Sequence, residues 1–249
     1  MSHFHDHFSS TAASYSTRRP TYPPAFIAAI AEACPNRKLA WDVGTGNGQA
    51  AVLLGDHFES VQATDASAAQ IAKAKPHPRV TYRVATEQES GLDDASVDFV
   101  TVAQALHWFD LPAFYDEVRR VLKPEGFLAV WCYGNPAIDE SIDPIVEAFY
   151  SGRVGPYWPP ERKHIATGYR ELHFPFEEIP FRPQSMTDVQ TREEFVEYVG
   201  TWSAVSRYRA IEGNDPLPLL RESLSPVWPD GERKSVIRPL AIRMGRVRK

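Results

Sequence analysis

Short β-branched runs alternate with helical stretches through the first half of the chain. Lys38–Val43, Ser60–Thr64, Val80–Val84, Val97–Ala103 and Gly126–Tyr133 read as five buried strands. Between them, Gln49–Asp56, Ala68–Lys75 and Leu111–Leu122 read as helices, the last stopped by Lys123, Pro124 and Gly126. Strand and helix in alternation predict right-handed crossovers and a parallel sheet covered on both faces.

The pattern changes after Tyr133. Only four prolines fall between Arg37 and Tyr133, whereas Pro156, Pro159, Pro160, Pro175, Pro180 and Pro183 crowd the segment from Asn135 to Pro183. They stand among Tyr150, Tyr157, Trp158, Phe174 and Phe176. Such a segment is incompatible with central strands and predicts helices and irregular loops laid over one end of the sheet, as a cap. Ser185–Gln190 reads as a strand, and Thr191 with Glu194 forms a capping box ahead of a helix to about Trp202. A second proline-bearing stretch, with Pro216, Pro218, Pro226 and Pro229, is expected to be irregular before a last strand, Ser235–Met244. One domain over 1–249 is expected: an entry segment (1–30), a core (37–133), cap insertions (135–183 and 203–230) and a final strand (235–247).

Composition narrows the function classes. The 249 residues carry a net charge of -5, and no face reads as a block of Lys and Arg, so a nucleic-acid or anionic-lipid partner is not expected. No apolar stretch approaches the roughly 18 residues of a membrane span, and the polar Met1–Thr11 lacks a signal peptide's apolar core. Cys34 and Cys132 have no metal or CxxC spacing and fit a reducing cytoplasm; no metal site is expected. His3, His5 and His7 belong to the polar start and read as tail, with only adventitious metal binding as the alternative.

The chemistry concentrates in Asp42-Val43-Gly44-Thr45-Gly46-Asn47-Gly48-Gln49, between the first strand and the next helix. The glycines let backbone approach a ligand, and the helix start offers free N–H groups. A dinucleotide fingerprint would need Gly or Ala where Gln49 stands. Asp42 would repel a pyrophosphate but attract a positively charged ligand. Asp65, ending the second strand, suits ribose hydroxyls. A cationic amino-acid end and a ribose together describe S-adenosylmethionine better than NAD or ATP, and no P-loop motif is present. The alternative is that Asp42 only caps a turn and Asp65 only ends a strand.

These residues resemble the class I S-adenosylmethionine-dependent methyltransferases, specifically the small-molecule branch similar to trans-aconitate methyltransferase. The same likeness runs through Ser96-Val97-Asp98, Ala103-Gln104-Ala105-Leu106-His107-Trp108-Phe109, Arg120–Gly126, Thr201-Trp202-Ser203 and the early Tyr15–Pro23. It implies an α/β, Rossmann-like, doubly wound sheet of seven strands, mostly parallel, with the last strand antiparallel beside Ser185–Gln190. It also implies that Asp42, Gly44, Thr45, Gly46 and Gln49 hold the methionine end, Asp65 and Ala66 the ribose and adenine edge, and Thr86, Glu87 and Gln88 the adenine. Gln104, Ala105, His107 and Trp108 would face the sulfonium and the acceptor, and Tyr15 and Arg19 would close the pocket.

Methyl transfer from a sulfonium is an in-line displacement governed by alignment and exclusion of water. A carboxylate acceptor needs no base; for a hydroxyl or amine, His107 is the candidate, its alternative being a ring that packs beside Trp108. Trp131, Tyr133, Trp158 and Trp202 could line an apolar acceptor site, and Arg18, Arg19 and Arg207 could clamp a carboxylate. The expectation is a cytoplasmic methyltransferase, monomer or homodimer, acting on oxygen of a small molecule. Methylation of a quinone- or polyketide-like aromatic, a non-catalytic S-adenosylmethionine sensor, and an NAD oxidoreductase stand as alternatives. The reversed Cys34-Pro35 order and the lack of Asn-Pro-Pro-Tyr disfavour nucleobase and glutamine acceptors.

Overall fold

The computed structural model describes residues 20–247. Five parallel strands, β1 (Leu39–Val43), β2 (Ser60–Asp65), β3 (Val80–Val84), β4 (Val97–Ala103) and β5 (Leu122–Tyr133), match the five expected runs. Parallel pairing sets the order β3-β2-β1-β4-β5. The sheet then turns antiparallel: β8 (Arg233–Arg246) pairs with β5, β6 (Glu177–Ile179) and β7 (Gln184–Thr191). The result is a Rossmann-like sheet of eight strands, one more than the seven expected. The addition is β6, three residues that pair with the end of β8 inside the proline-rich segment.

Helices cover both faces. On one side α1 (Pro24–Glu32) buries Phe26, Ile27 and Ile30 with α2 (Gln49–Gly55). The end of the entry segment is thus core helix, started by a proline where no N–H is needed. The short α3 (Ala68–Ile71) is capped by the Ser67 hydroxyl. It stops before the expected Lys75, whose N–H bonds the Asn47 carbonyl and which precedes Pro76, a position that disfavours helix. On the other face α4 (Leu111–Val121) buries Phe114, Tyr115, Val118 and Val121. Asp98 ties this scaffold together: its Oδ2 accepts the N–H groups of Lys38 and Leu39 at 3.0 and 2.9 Å, and its Oδ1 the Lys123 ammonium at 2.7 Å.

The cap has a hydrophobic core of its own. Its first segment carries α5 (Asp143–Glu147), a π-turn over Ala148–Arg153 and α6 (Lys163–Ala166). Its second carries α7 (Arg192–Val199), α8 (Ser203–Glu212) and α9 (Leu217–Leu224). The Thr191–Glu194 capping box forms as expected. The insertion at 203–230, whose proline-bearing stretch was expected to be irregular, carries both α8 and α9. Pro216 and Pro218 stand at the start of α9, where proline is tolerated, and left-handed Gly213 (φ 69°) ends α8. Ile142, Val146 and Phe149 pack with Phe195, Val205, Leu220 and Trp228.

Replacing Asp98 by Ala strands two backbone donors and a lysine together. Urea unfolding should show a loss of about 3 kcal/mol, in the range for breaking a largely buried ion pair.

Candidate active site

The loop after β1 is shaped by close approach. A Cβ on Gly48 would meet the Tyr82 hydroxyl at 2.2 Å, whereas one on Gly46 (φ 57°) would meet nothing within 4 Å. Gly46 therefore borders open space in a left-handed conformation that glycine adopts without strain. Its N–H donates to Asp65 Oδ2 at 2.8 Å, and the Thr45 N–H donates to the Thr64 carbonyl at 2.9 Å. Asp65 Oδ1 accepts the Ser67 N–H at 2.8 Å, so this partly exposed carboxylate is fixed at the carboxyl end of β2.

Asp42 lies differently from the expected direct contact with a ligand. Its carboxylate is fully buried, accepting the hydroxyls of Thr45 at 2.5 Å and Thr101 at 2.6 Å. Among the described residues no cation pairs with it. Burial, the largest influence, raises its pKa to about 6 against the pull of the two hydroxyls. Asp42 can reach a ligand only through its field and through the loop it holds.

The loop after β4 forms the opposite wall. Gln104 sits at φ 57°, a strained choice for a side chain with a Cβ, and bridges two strands. Its N–H donates to the Trp131 carbonyl at 2.8 Å, and its Oε1 accepts the Tyr133 N–H at 2.7 Å. The next turn, Leu106–Trp108, brings His107 and Trp108 to a cleft beside Gln104 and Tyr133. His107 Nδ1 lies 2.9 Å from the hydroxyl of Tyr169, a fully buried phenol whose pKa burial pushes well above 10. Ala105 packs against Gly44, whose added Cβ would come within 2.8 Å of it. Thr86, Glu87 and Gln88 follow β3 on the same edge, with Glu87 Oε1 accepting the Asp110 N–H at 3.3 Å. Gln49 opens α2, and Ala66 follows Asp65.

Both cap segments reach this cleft. The first contributes Trp158, Pro159, Arg162 and Ile165, the second Tyr198, Trp202 and Ser203. Tyr150, Trp158 and Trp202 form a ring cluster with centroids 4.8 to 5.6 Å apart. Two expected lining residues lie elsewhere. Trp131 is fully buried under α1, edge-on to Tyr22 and Phe26, because β5 points it into the sheet's core. Arg207 sits on α8, away from the cleft lining. Tyr15, Arg18, Arg19 and the three early histidines lie outside the described residues. Arg162, Tyr169 and Tyr198 were not anticipated: the proline- and aromatic-rich run marked their neighbourhood, but nothing local singled them out.

Cys34 and Cys132 are buried, and burial raises their thiols to about 11 and about 12, so neither is a ready nucleophile. Among the described residues no group of three or more His, Cys, Asp or Glu could hold a metal ion, and no helix is long and apolar enough to cross a membrane.

Comparison with known proteins matches this arrangement. The methyltransferase-domain family aligns with residues 41–130, from the loop strand through most of β5. A Dictyostelium discoideum protein named as a methyltransferase is 35% identical over 239 residues, 94% of this chain and 91% of its own. A Mycobacterium tuberculosis protein, named an uncharacterized methyltransferase, is 37% identical over 126 residues, about half of each chain. A solved structure from Anaeromyxobacter dehalogenans, described as a type II methyltransferase, superposes with a TM-score of 0.86 at 42% identity, covering 92% of this chain and 98% of that one.

Asp42 gives a pH-dependent stability of defined sign. Its folded pKa of about 6 exceeds the roughly 3.9 of an unfolded aspartate, so the folded state takes up the proton first as pH falls. The buried charge therefore costs stability above pH 6, and that cost is gone below pH 4. Asp42→Asn should be more stable than the native chain by about 3 kcal/mol at pH 8 and lose that advantage by pH 4. Urea midpoints at the two pH values measure it.

Proposed function

The chain belongs to the class I S-adenosylmethionine-dependent methyltransferases, and we propose that it transfers the methyl group to an oxygen of a small-molecule acceptor held between the post-β4 turn and the cap. The observation that carries this reading is the shared cleft: His107 and Trp108 from the turn face Trp158 and Trp202 from the two cap segments.

The loop fits the cofactor. Gly46 leaves its side open for the methionine end, the buried Asp42 charge favours a cation there, and fixed Asp65 stands where ribose hydroxyls would be received. Thr86, Glu87 and Gln88 border the adenine in this reading, and Gln104 and Ala105 the sulfur. Bound S-adenosylmethionine supplies an electrophilic methyl group: the acceptor oxygen forms a bond to carbon as the carbon–sulfur bond breaks, leaving S-adenosylhomocysteine.

The protein's part is alignment and dryness. Trp108, Tyr133, Trp158 and Trp202 present flat apolar faces that exclude water and orient an acceptor. The Tyr169 phenol keeps its proton, and donating it to His107 Nδ1 leaves the proton of a neutral imidazole on Nε2. In that tautomer His107 is a donor that positions an acceptor oxygen, which suits a carboxylate. A hydroxyl acceptor would need the other tautomer, with His107 as base. The aromatic walls equally favour a second reading, a quinone- or polyketide-like ring methylated at oxygen or carbon. The reading also has the protein working in the cytoplasm, as a monomer or homodimer, without a nucleic-acid or membrane partner.

His107→Ala should lower turnover at least ten-fold while leaving S-adenosylmethionine affinity nearly unchanged. Calorimetry and a turnover assay on a panel of small acids and phenols test both halves; loss of cofactor affinity, or unchanged turnover, would count against the assignment.

A further inference from the structure

Several arginines of the last strand are matched by carboxylates. Arg238 pairs with Asp188, Arg243 with Glu178 and Arg246 with Glu125. Arg162 differs. It lines the cleft, and among the described residues no carboxylate pairs with it. Its guanidinium lies over Trp158 at 5.0 Å and Tyr150 at 5.7 Å, and it donates through Nη2 to Asn135 Oδ1 at 3.0 Å. Its buried Nε has no hydrogen-bond partner. Stacking and the Asn135 bond thus hold the fork in place, while one donor is withdrawn from water without compensation.

The surroundings share this electrostatic character. Among the described residues no Asp, Glu or Lys lines the cleft. The Arg162 charge also acts on the buried Tyr169 phenol, against the effect of burial. A second guanidinium, Arg238, stacks 4.3 Å from the ring of Tyr198, itself a lining residue, and its buried Nε and Nη2 likewise lack partners. A preorganised planar fork among aromatic faces is complementary to a planar anion attached to a flat or unsaturated body.

We propose that Arg162 is the specificity-determining residue of the acceptor site, and that the acceptor is an organic carboxylate anchored by this guanidinium. A phosphate dianion fits less well, since among the described residues the lining supplies one guanidinium and no lysine. The proposal rests on the methyltransferase reading of the same cleft and names the acceptor's class.

The test uses the full chain saturated with S-adenosylhomocysteine. Benzoate, trans-cinnamate, succinate and glutarate are titrated beside their amides and phenyl phosphate, with calorimetry and the fluorescence of the cleft tryptophans as readouts. At least one carboxylate should bind, with its amide at least ten-fold weaker. Arg162→Gln should erase that difference. Asn135→Asp, which sets a competing carboxylate on the fork and spares the arginine's stacking, should weaken the carboxylate at least ten-fold as well. S-adenosylhomocysteine affinity should stay native in both variants. Binding of no carboxylate, equal binding of acid and amide, tighter binding of phenyl phosphate, or native carboxylate affinity in both variants would overturn the proposal. Failure of S-adenosylhomocysteine itself to bind would instead strike the methyltransferase reading of the cleft.

Discussion

A carboxylate buried with no counter-ion among the described residues organises the carboxyl edge of the sheet. Asp42 is the penultimate residue of β1, between β2 and β4, fully buried, and among the described residues no lysine or arginine reaches it. Two threonine hydroxyls are its compensation, one from the loop and one from the neighbouring strand. Those bonds fix where the chain turns after β1, and the turn determines where Gly46 can donate to Asp65. The charge remains incompletely satisfied, as its raised pKa shows. A cation placed over the loop would relieve it, so the cost to folding and the preference for a positively charged ligand have one origin.

The long strand β8 makes the second half of the site possible. Its latter part pairs with β5 and completes the sheet, while its first part pairs with β7, which leads into the cap helix α7. A bridge from Ala137 to Ile237 ties the other cap segment to the same strand. Both cap segments that line the cleft are therefore tied to one strand. Tyr133, at the last β5 position paired with β8, is where sheet and cap meet.

Much of this was legible in the sequence, and for identifiable reasons. Strands β1 to β5 and the loop between β1 and α2 were readable because period, glycine spacing and strand-end aspartates are local signals. The Thr191–Glu194 box was readable because capping spans only three residues. Helix α9 was hidden because the prolines at its start read as breakers, although proline there costs little. Asp42 read as a ligand contact because its burial depends on Thr101, 59 residues away. Trp131 and Tyr133 share a face of β5, and only the three-dimensional edge of the sheet decides that the second reaches the cleft. Arg162 carries no local mark at all; its role depends on Asn135, Tyr150 and Trp158 converging from separate turns.

The measurement closest to the central claim is the affinity for S-adenosylmethionine, by calorimetry, between pH 5 and pH 7.5, for the native chain and Asp42→Asn. Over most of that range the ligand's amino group stays largely protonated and its sulfonium charge is fixed, so through pH 6 the protein's own titration is what changes. Native affinity should rise as pH climbs through about 6, where Asp42 gains its charge, and the variant should bind more weakly with a flat profile. Identical pH profiles for the two proteins would contradict the account.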